Sequence, residues 1–140
     1  MRVAADVAEG DLIDPVTFPV RRADLVAYAG ASGDYNVIHW STRAAIAVGL
    51  PDVIAHGMLT MALAGRVATD WAGDPGAILD YAVRFTRPVV VPDDDDGTDL
   101  VVAGRVESVD SNARTATVVL TATVADAGVL SGARAVLQLT

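Results

Sequence analysis

Within six residues, Asp34-Tyr35-Asn36-Val37-Ile38-His39 brings together a carboxylate, an amide and an imidazole. An imidazole with a pKa of about 6.5 exchanges protons near neutral pH, whereas a carboxylate at about 3.9 stays charged and orients an imidazole or a water. An acid and a base five positions apart on one loop can therefore converge on a single water. Asn36 fixes the loop or holds a third partner. Downstream, Ala55-His56-Gly57-Met58-Leu59 sets a glycine at the head of an apolar run. A helix opening there presents free N–H groups and its positive dipole end to a developing oxyanion. An acid/base loop beside an oxyanion site is an active-site layout.

Other chemistries fit poorly. There is no cysteine, so thiolate nucleophiles, thiolate metal sites and disulfides are all excluded. With two histidines, a metal site would need both imidazoles plus carboxylates at unusual spacing, and none is expected. Aligning Gly97 of the acidic run Asp93-Asp94-Asp95-Asp96-Gly97 with the glycine of a calcium loop puts Pro92 and Ala103 at the end ligand positions, so the run reads as a solvated turn. Gly30-Ala31-Ser32-Gly33 lacks the spacing of a nucleophile elbow and follows a helix rather than a strand. His56, ahead of an apolar helix, reads as a hydrogen-bonded structural histidine.

The elements that must carry these residues follow from periodicity. Val16–Val20 reads as a strand and Arg22–Ala31 as a helix closed by Gly33, with the Asp34–Trp40 loop behind it. Ser41 is a good N-cap for a short helix that ends at Gly49, with Pro51 beyond. From Gly57 to Ala72, Met58, Leu59, Met61, Leu63, Val67 and Trp71 occupy nearly every azimuth, which predicts a helix buried all round. Gly65 inside it suggests a close approach by another backbone, an acyl chain or a packing neighbour. After Gly76 the period becomes two. Leu79, Tyr81, Val83 and Phe85 should share a face, as should Val102, Gly104 and Val106, then Val118, Leu120, Ala122 and Val124, then Ala133, Ala135, Leu137 and Leu139. Helices first and short-linked strands after imply an α+β fold, an antiparallel sheet around the long helix.

Composition sets the frame. The 140 residues suit one domain spanning 1–140, and 52% hydrophobic against 20% charged residues excludes disorder. A net charge of −8 argues against nucleic acid, and all ten basic residues are arginines, so an anion must be met by arginine or by backbone N–H. No apolar run approaches the roughly 18 residues of a membrane span, and Asp6 falls where a secretory signal would be apolar, so a cytoplasmic protein is expected.

The segment Ala29–Trp40, followed by Ile54-Ala55-His56-Gly57-Met58-Leu59-Thr60, resembles the hydratase motif of the MaoC-like, (R)-specific enoyl-thioester hydratases and dehydratases. The likeness continues through Gly73–Gly76, Tyr81–Thr86 and Gly104–Val106, and is nearest to the catalytic subunits of (3R)-hydroxyacyl-carrier-protein dehydratases of type II fatty-acid synthesis. It implies a hot-dog fold and a hydro-lyase acting on acyl thioesters of carrier protein or coenzyme A. Asp34 and His39 would be catalytic, sharing two proton transfers whose assignment stays open. The Gly57 N–H would receive the thioester oxygen, and Asn36 would support the loop. Arg84 and Arg87 become candidates for carrier phosphates, or form the solvated face of a strand. No cofactor is implied. A dimer is, either with a non-catalytic hot-dog subunit or with a like chain. Val37 stands where the family often has proline and Ser41 where it often has an acid, and neither change removes a reactive group. A hot-dog thioesterase and a non-catalytic acyl-binding subunit are the competing readings.

Overall fold

The computed structural model describes residues 2–140. After a 3₁₀ turn at Ala4–Asp6 come strand β1 (Leu12–Val20) and helix α1 (Arg22–Ser32). A 3₁₀ turn at Val37–His39 leads to helix α2 (Thr42–Ala47) and helix α3 (Gly57–Ala72). Strands β2 (Ile78–Phe85), β3 (Thr98–Asp110), β4 (Thr115–Val124), β5 (Ala127–Gly128) and β6 (Leu130–Gln138) complete the chain. The order β1-β3-β4-β6-β2 makes one antiparallel sheet, with the two-residue β5 added to β4.

One face of that sheet is closed by α3. Thr60, Ala64, Gly65, Val67, Ala68 and Ala72 are buried against Leu100, Val102, Val106, Val118, Leu120, Ala133, Ala135 and Leu137 from the strands. Each fully buried valine or leucine contributes about 1.5–3 kcal/mol, so this layer is what holds the helix. The alternation expected for β4 and β6 is observed: Val118, Leu120 and Ala122 point inward, as do Ala133, Ala135, Leu137 and Leu139. Gly65 answers the expected close approach. A Cβ there would lie 2.9 Å from the Tyr81 ring, whose hydroxyl donates to the Met61 carbonyl at 2.9 Å.

Three local expectations are corrected. Helix α3 is buried on one side only: Met58 is 56% exposed and Ala62 is exposed, because the sheet covers a single face and nothing among the described residues covers the other. Leu79, placed with the inward residues of β2, is 58% exposed, while Ile78 packs on the core. The cause is a break in pairing register between Ile78 and Asp80, which a strict period of two does not anticipate. Strand β1 starts at Leu12 rather than Val16. Its register shifts between Ile13 and Val16, around Pro15, which an edge strand tolerates.

Candidate active site

The loop after α1 is built from local hydrogen bonds. Gly33, at φ 77°, closes the helix and turns the chain, a left-handed conformation that suits glycine. Ser32 Oγ accepts the Asp34 N–H at 3.2 Å, Asp34 Oδ1 accepts the Asn36 N–H at 3.1 Å, and Asn36 Oδ1 accepts the Ile38 N–H at 3.3 Å. Asn36 thus caps the 3₁₀ turn that delivers His39 inward. Ser41 then caps α2, accepting the Ala44 N–H at 3.3 Å.

A second segment receives the loop. Ala55 N–H donates to the Val89 carbonyl and Val91 N–H to the Val53 carbonyl, so 53–55 runs beside 89–91, while the Ile54 N–H donates back to the Ile38 carbonyl. Arg22 clasps the assembly, donating to the Val91 carbonyl at 2.7 Å and pairing with Asp52 at 2.9 Å. Asp52 also accepts from Val53 N–H and Thr42 Oγ1. The Val53 bond first, then the Thr42 bond and the Arg22 charge, hold its carboxyl below the usual 3.8.

His39, 8% exposed, donates from Nδ1 to the Ile54 carbonyl at 2.7 Å. A carbonyl only accepts, so the hydrogen is on Nδ1, and the neutral ring carries its lone pair on Nε2. That Nε2 faces Asp34 Oδ2 at 4.0 Å. The His56 ring stacks on His39 at 3.8 Å between centroids, 25° from parallel, and its Nε2 lies 3.1 Å from the Asp34 carbonyl. Asp34, His39 and His56 thus offer ligand atoms within 4.8 Å of one another. A near-parallel stack fits a metal poorly. Imidazole lone pairs lie in the ring planes, so the two rings cannot both aim at one ion about 2.0–2.1 Å away.

Helix α3 begins at Gly57, and its N-cap residue His56 makes no side-chain cap. Leu59 and Thr60 N–H donate to the His56 carbonyl, while the N–H groups of Gly57 and Met58 have no acceptor among the described residues. A Cβ on Gly57 would lie 3.3 Å from the Phe85 ring. A cavity of about 380 Å³ is lined by His39, Gly57 and Thr60 together with Phe85, Arg87 and Val129. The structure therefore sets Asp34 against His39 and puts His39 and Gly57 on one cavity, while Asn36 caps the turn within the loop and lines no part of that cavity. It separates the two arginines: Arg87 lines this cavity, whereas Arg84 lines a different depression with Ala82, Ser131 and Gly132. Sequence reasoning missed Thr60, Phe85 and Val129. Thr60 was visible three residues after Gly57 on the same helix face, but Phe85 and Val129 arrive through strand pairing, which leaves no local signal.

An antiparallel sheet wrapped on a central helix, with its polar loop at the helix N-terminus, is a hot-dog fold. Residues 5–126 match the family model described as MaoC like domain, and the chain belongs to that family. It is 44% identical over 70 residues to 3-hydroxyacyl-thioester dehydratase X of Mycobacterium tuberculosis, a match covering 50% of this chain and 24% of that protein. A solved structure described as a MaoC-like dehydratase superposes with a TM-score of 0.96 at 40% identity, over 99% of this chain and 42% of the other. R-hydratase PhaJ1 from Pseudomonas aeruginosa superposes at 0.83 with 26% identity, over 98% of this chain and 85% of that one. The chain thus spans under half the length of the first two relatives. No helix among the described residues is long and apolar enough to cross a membrane.

Proposed function

We propose that this chain, taken whole as one MaoC-like domain, is a hydro-lyase that interconverts (3R)-hydroxyacyl and trans-2-enoyl thioesters. The observation that carries the reading is His39 Nε2 facing the Asp34 carboxylate at 4.0 Å, with His39 and Gly57 both lining one cavity. Two acceptors at that distance suit a water that donates one hydrogen to each. In hydration the water oxygen joins C3, one of the two groups takes its proton, and a proton is delivered to C2. In dehydration the C2 proton is removed and the C3 hydroxyl departs as water. Charge gathers on the thioester oxygen in both directions, where the Gly57 N–H at the α3 terminus stabilises it. No step calls for a cofactor.

The names of the relatives, a 3-hydroxyacyl-thioester dehydratase and an R-hydratase, support the reaction class. Arg87, at the cavity, is the residue for a phosphate of coenzyme A or of a carrier's pantetheine. The sheet ends in two edge strands, β1 and β2, and the outer side of α3 exposes Met58. Pairing with a second hot-dog unit would cover such surfaces, so a dimer working on cytoplasmic thioesters completes the proposal. The test is hydration of crotonyl-coenzyme A, followed by loss of enoyl-thioester absorbance, with free thiol assayed in parallel. Absorbance loss without thiol release is expected. Stoichiometric thiol would mean a thioesterase, and saturable binding with no turnover an acyl-binding subunit.

A further inference from the structure

His56 follows from none of the roles above. At 2% exposed it is buried beneath the loop and closed off from the solvent side from which a substrate arrives. Its Nε2 lies 3.1 Å from the Asp34 carbonyl, 22 residues earlier in the chain, and must carry the hydrogen because that oxygen only accepts. Its ring is held between Tyr28, 4.8 Å away and tilted by 57°, and His39, on which it stacks. Its Nδ1 is buried with no partner among the described residues.

The residue also occupies the N-cap of α3, where serine, threonine, aspartate or asparagine would add about 1 kcal/mol by accepting an N–H of the first turn. Histidine forgoes that gain. An accepting side chain at this position would compete for the N–H groups of the turn that opens toward the cavity. A donor turned the other way leaves them free and grips the loop instead. One side chain therefore touches both members of the acid/base pair without touching the reacting atoms.

We infer that His56 is a positioning residue: its Nε2–H bond to the Asp34 carbonyl, braced by the stack on His39, sets the Asp34 carboxylate against His39 Nε2. This rests on the hydro-lyase reading of the site. Displacing a reacting group by about 1 Å costs up to about 100-fold in rate. In the 140-residue chain, His56→Phe keeps a ring and loses the donor, whereas His56→Gln keeps an N–H at matching reach and loses the ring. With crotonyl-coenzyme A, His56→Phe is expected to lower kcat by about tenfold or more with KM within about twofold. His56→Gln should recover most of that loss. Imidazole ¹⁵N resonances of the unmodified protein provide a readout that needs no variant: hydrogen on Nδ1 of His39 and on Nε2 of His56. The inference is overturned by wild-type kcat in His56→Phe, by equal loss in His56→Gln, or by hydrogen on Nδ1 of His56. With Asp34→Asn and His39→Ala assayed alongside, turnover surviving in those two removes the assignment of the acid/base pair on which the proposed reaction rests, and this inference with it. Their inactivity beside an unimpaired His56→Phe removes the inference alone.

Discussion

Two loops of this protein use the same device and come to different ends. In the 34–39 loop Asp34 Oδ1 accepts the N–H two residues on. In the 93–97 loop Asp94 Oδ1 accepts those of Asp96 at 3.1 Å and Gly97 at 2.6 Å. The second loop holds four carboxylates and the first holds one. All five carboxylates are exposed, yet Asp93 to Asp96 face no buried side chain among the ion pairs of the described residues, whereas Asp34 stands against a buried imidazole that lines a cavity. A carboxylate becomes chemically useful through what the fold sets opposite it. The number of neighbouring carboxylates does not decide it.

Breaking the first loop should show in turnover. His39→Ala removes the buried imidazole and should lower kcat for crotonyl-coenzyme A hydration by about 10²- to 10⁴-fold in the folded fraction, with about 1–3 kcal/mol of stability lost as the Ile54 carbonyl is left unpaired. Breaking the second should show in stability. Gly97 has φ 73°, and a Cβ there would lie 2.3 Å from the Val20 carbonyl oxygen. Gly97→Ala should cost about 1–3 kcal/mol in urea unfolding while kcat of the folded fraction is unchanged.

The pH axis sharpens the contrast between structural and reactive groups. Burial raises the Tyr81 hydroxyl from 10.0 to about 12. The unfolded chain thus releases this proton first, and stability falls as pH rises between those values. Tyr81→Phe should remove that alkaline loss and cost about 0.5–1.5 kcal/mol at neutral pH for the bond to Met61. Asp52 has the opposite sign. Its lowered pKa contributes stability above about pH 3.8 that is lost as pH falls through the folded value. Because the pair with Arg22 is partly exposed, Asp52→Asn should flatten the acid limb by only about 0–1 kcal/mol, read by unfolding at pH 3 and 6.

Much of this architecture could be read before the fold was seen. Helix α3 runs from Gly57 to Ala72 as its apolar pattern and terminal glycines imply, and Ser41 caps α2 as expected. Those signals are local, written within a few residues of where they act. Register breaks are not, so Leu79 was placed on the wrong face. Asp34, His39 and Gly57 stood out in the sequence by residue type, and the structure sets Asp34 against His39 and puts His39 and Gly57 on one cavity. Arg84 and Arg87 looked alike, and only the end of β2 separates them, since the chain leaves the strand after Phe85. The anchor of His39 is the Ile54 carbonyl, a main-chain atom that every residue type supplies, and no sequence pattern marks it. His56 read as structural from its place before the helix. Its stack on His39 arises from a contact 17 positions apart in the chain.

The most direct test sets one carboxylate from each loop against the other: Asp34→Asn and Asp94→Asn, each assayed for hydration of crotonyl-coenzyme A under identical conditions. Loss of turnover by about 10²-fold or more in Asp34→Asn, with parental turnover in Asp94→Asn, is the predicted result. Equal turnover in the two variants would contradict the assignment of the site.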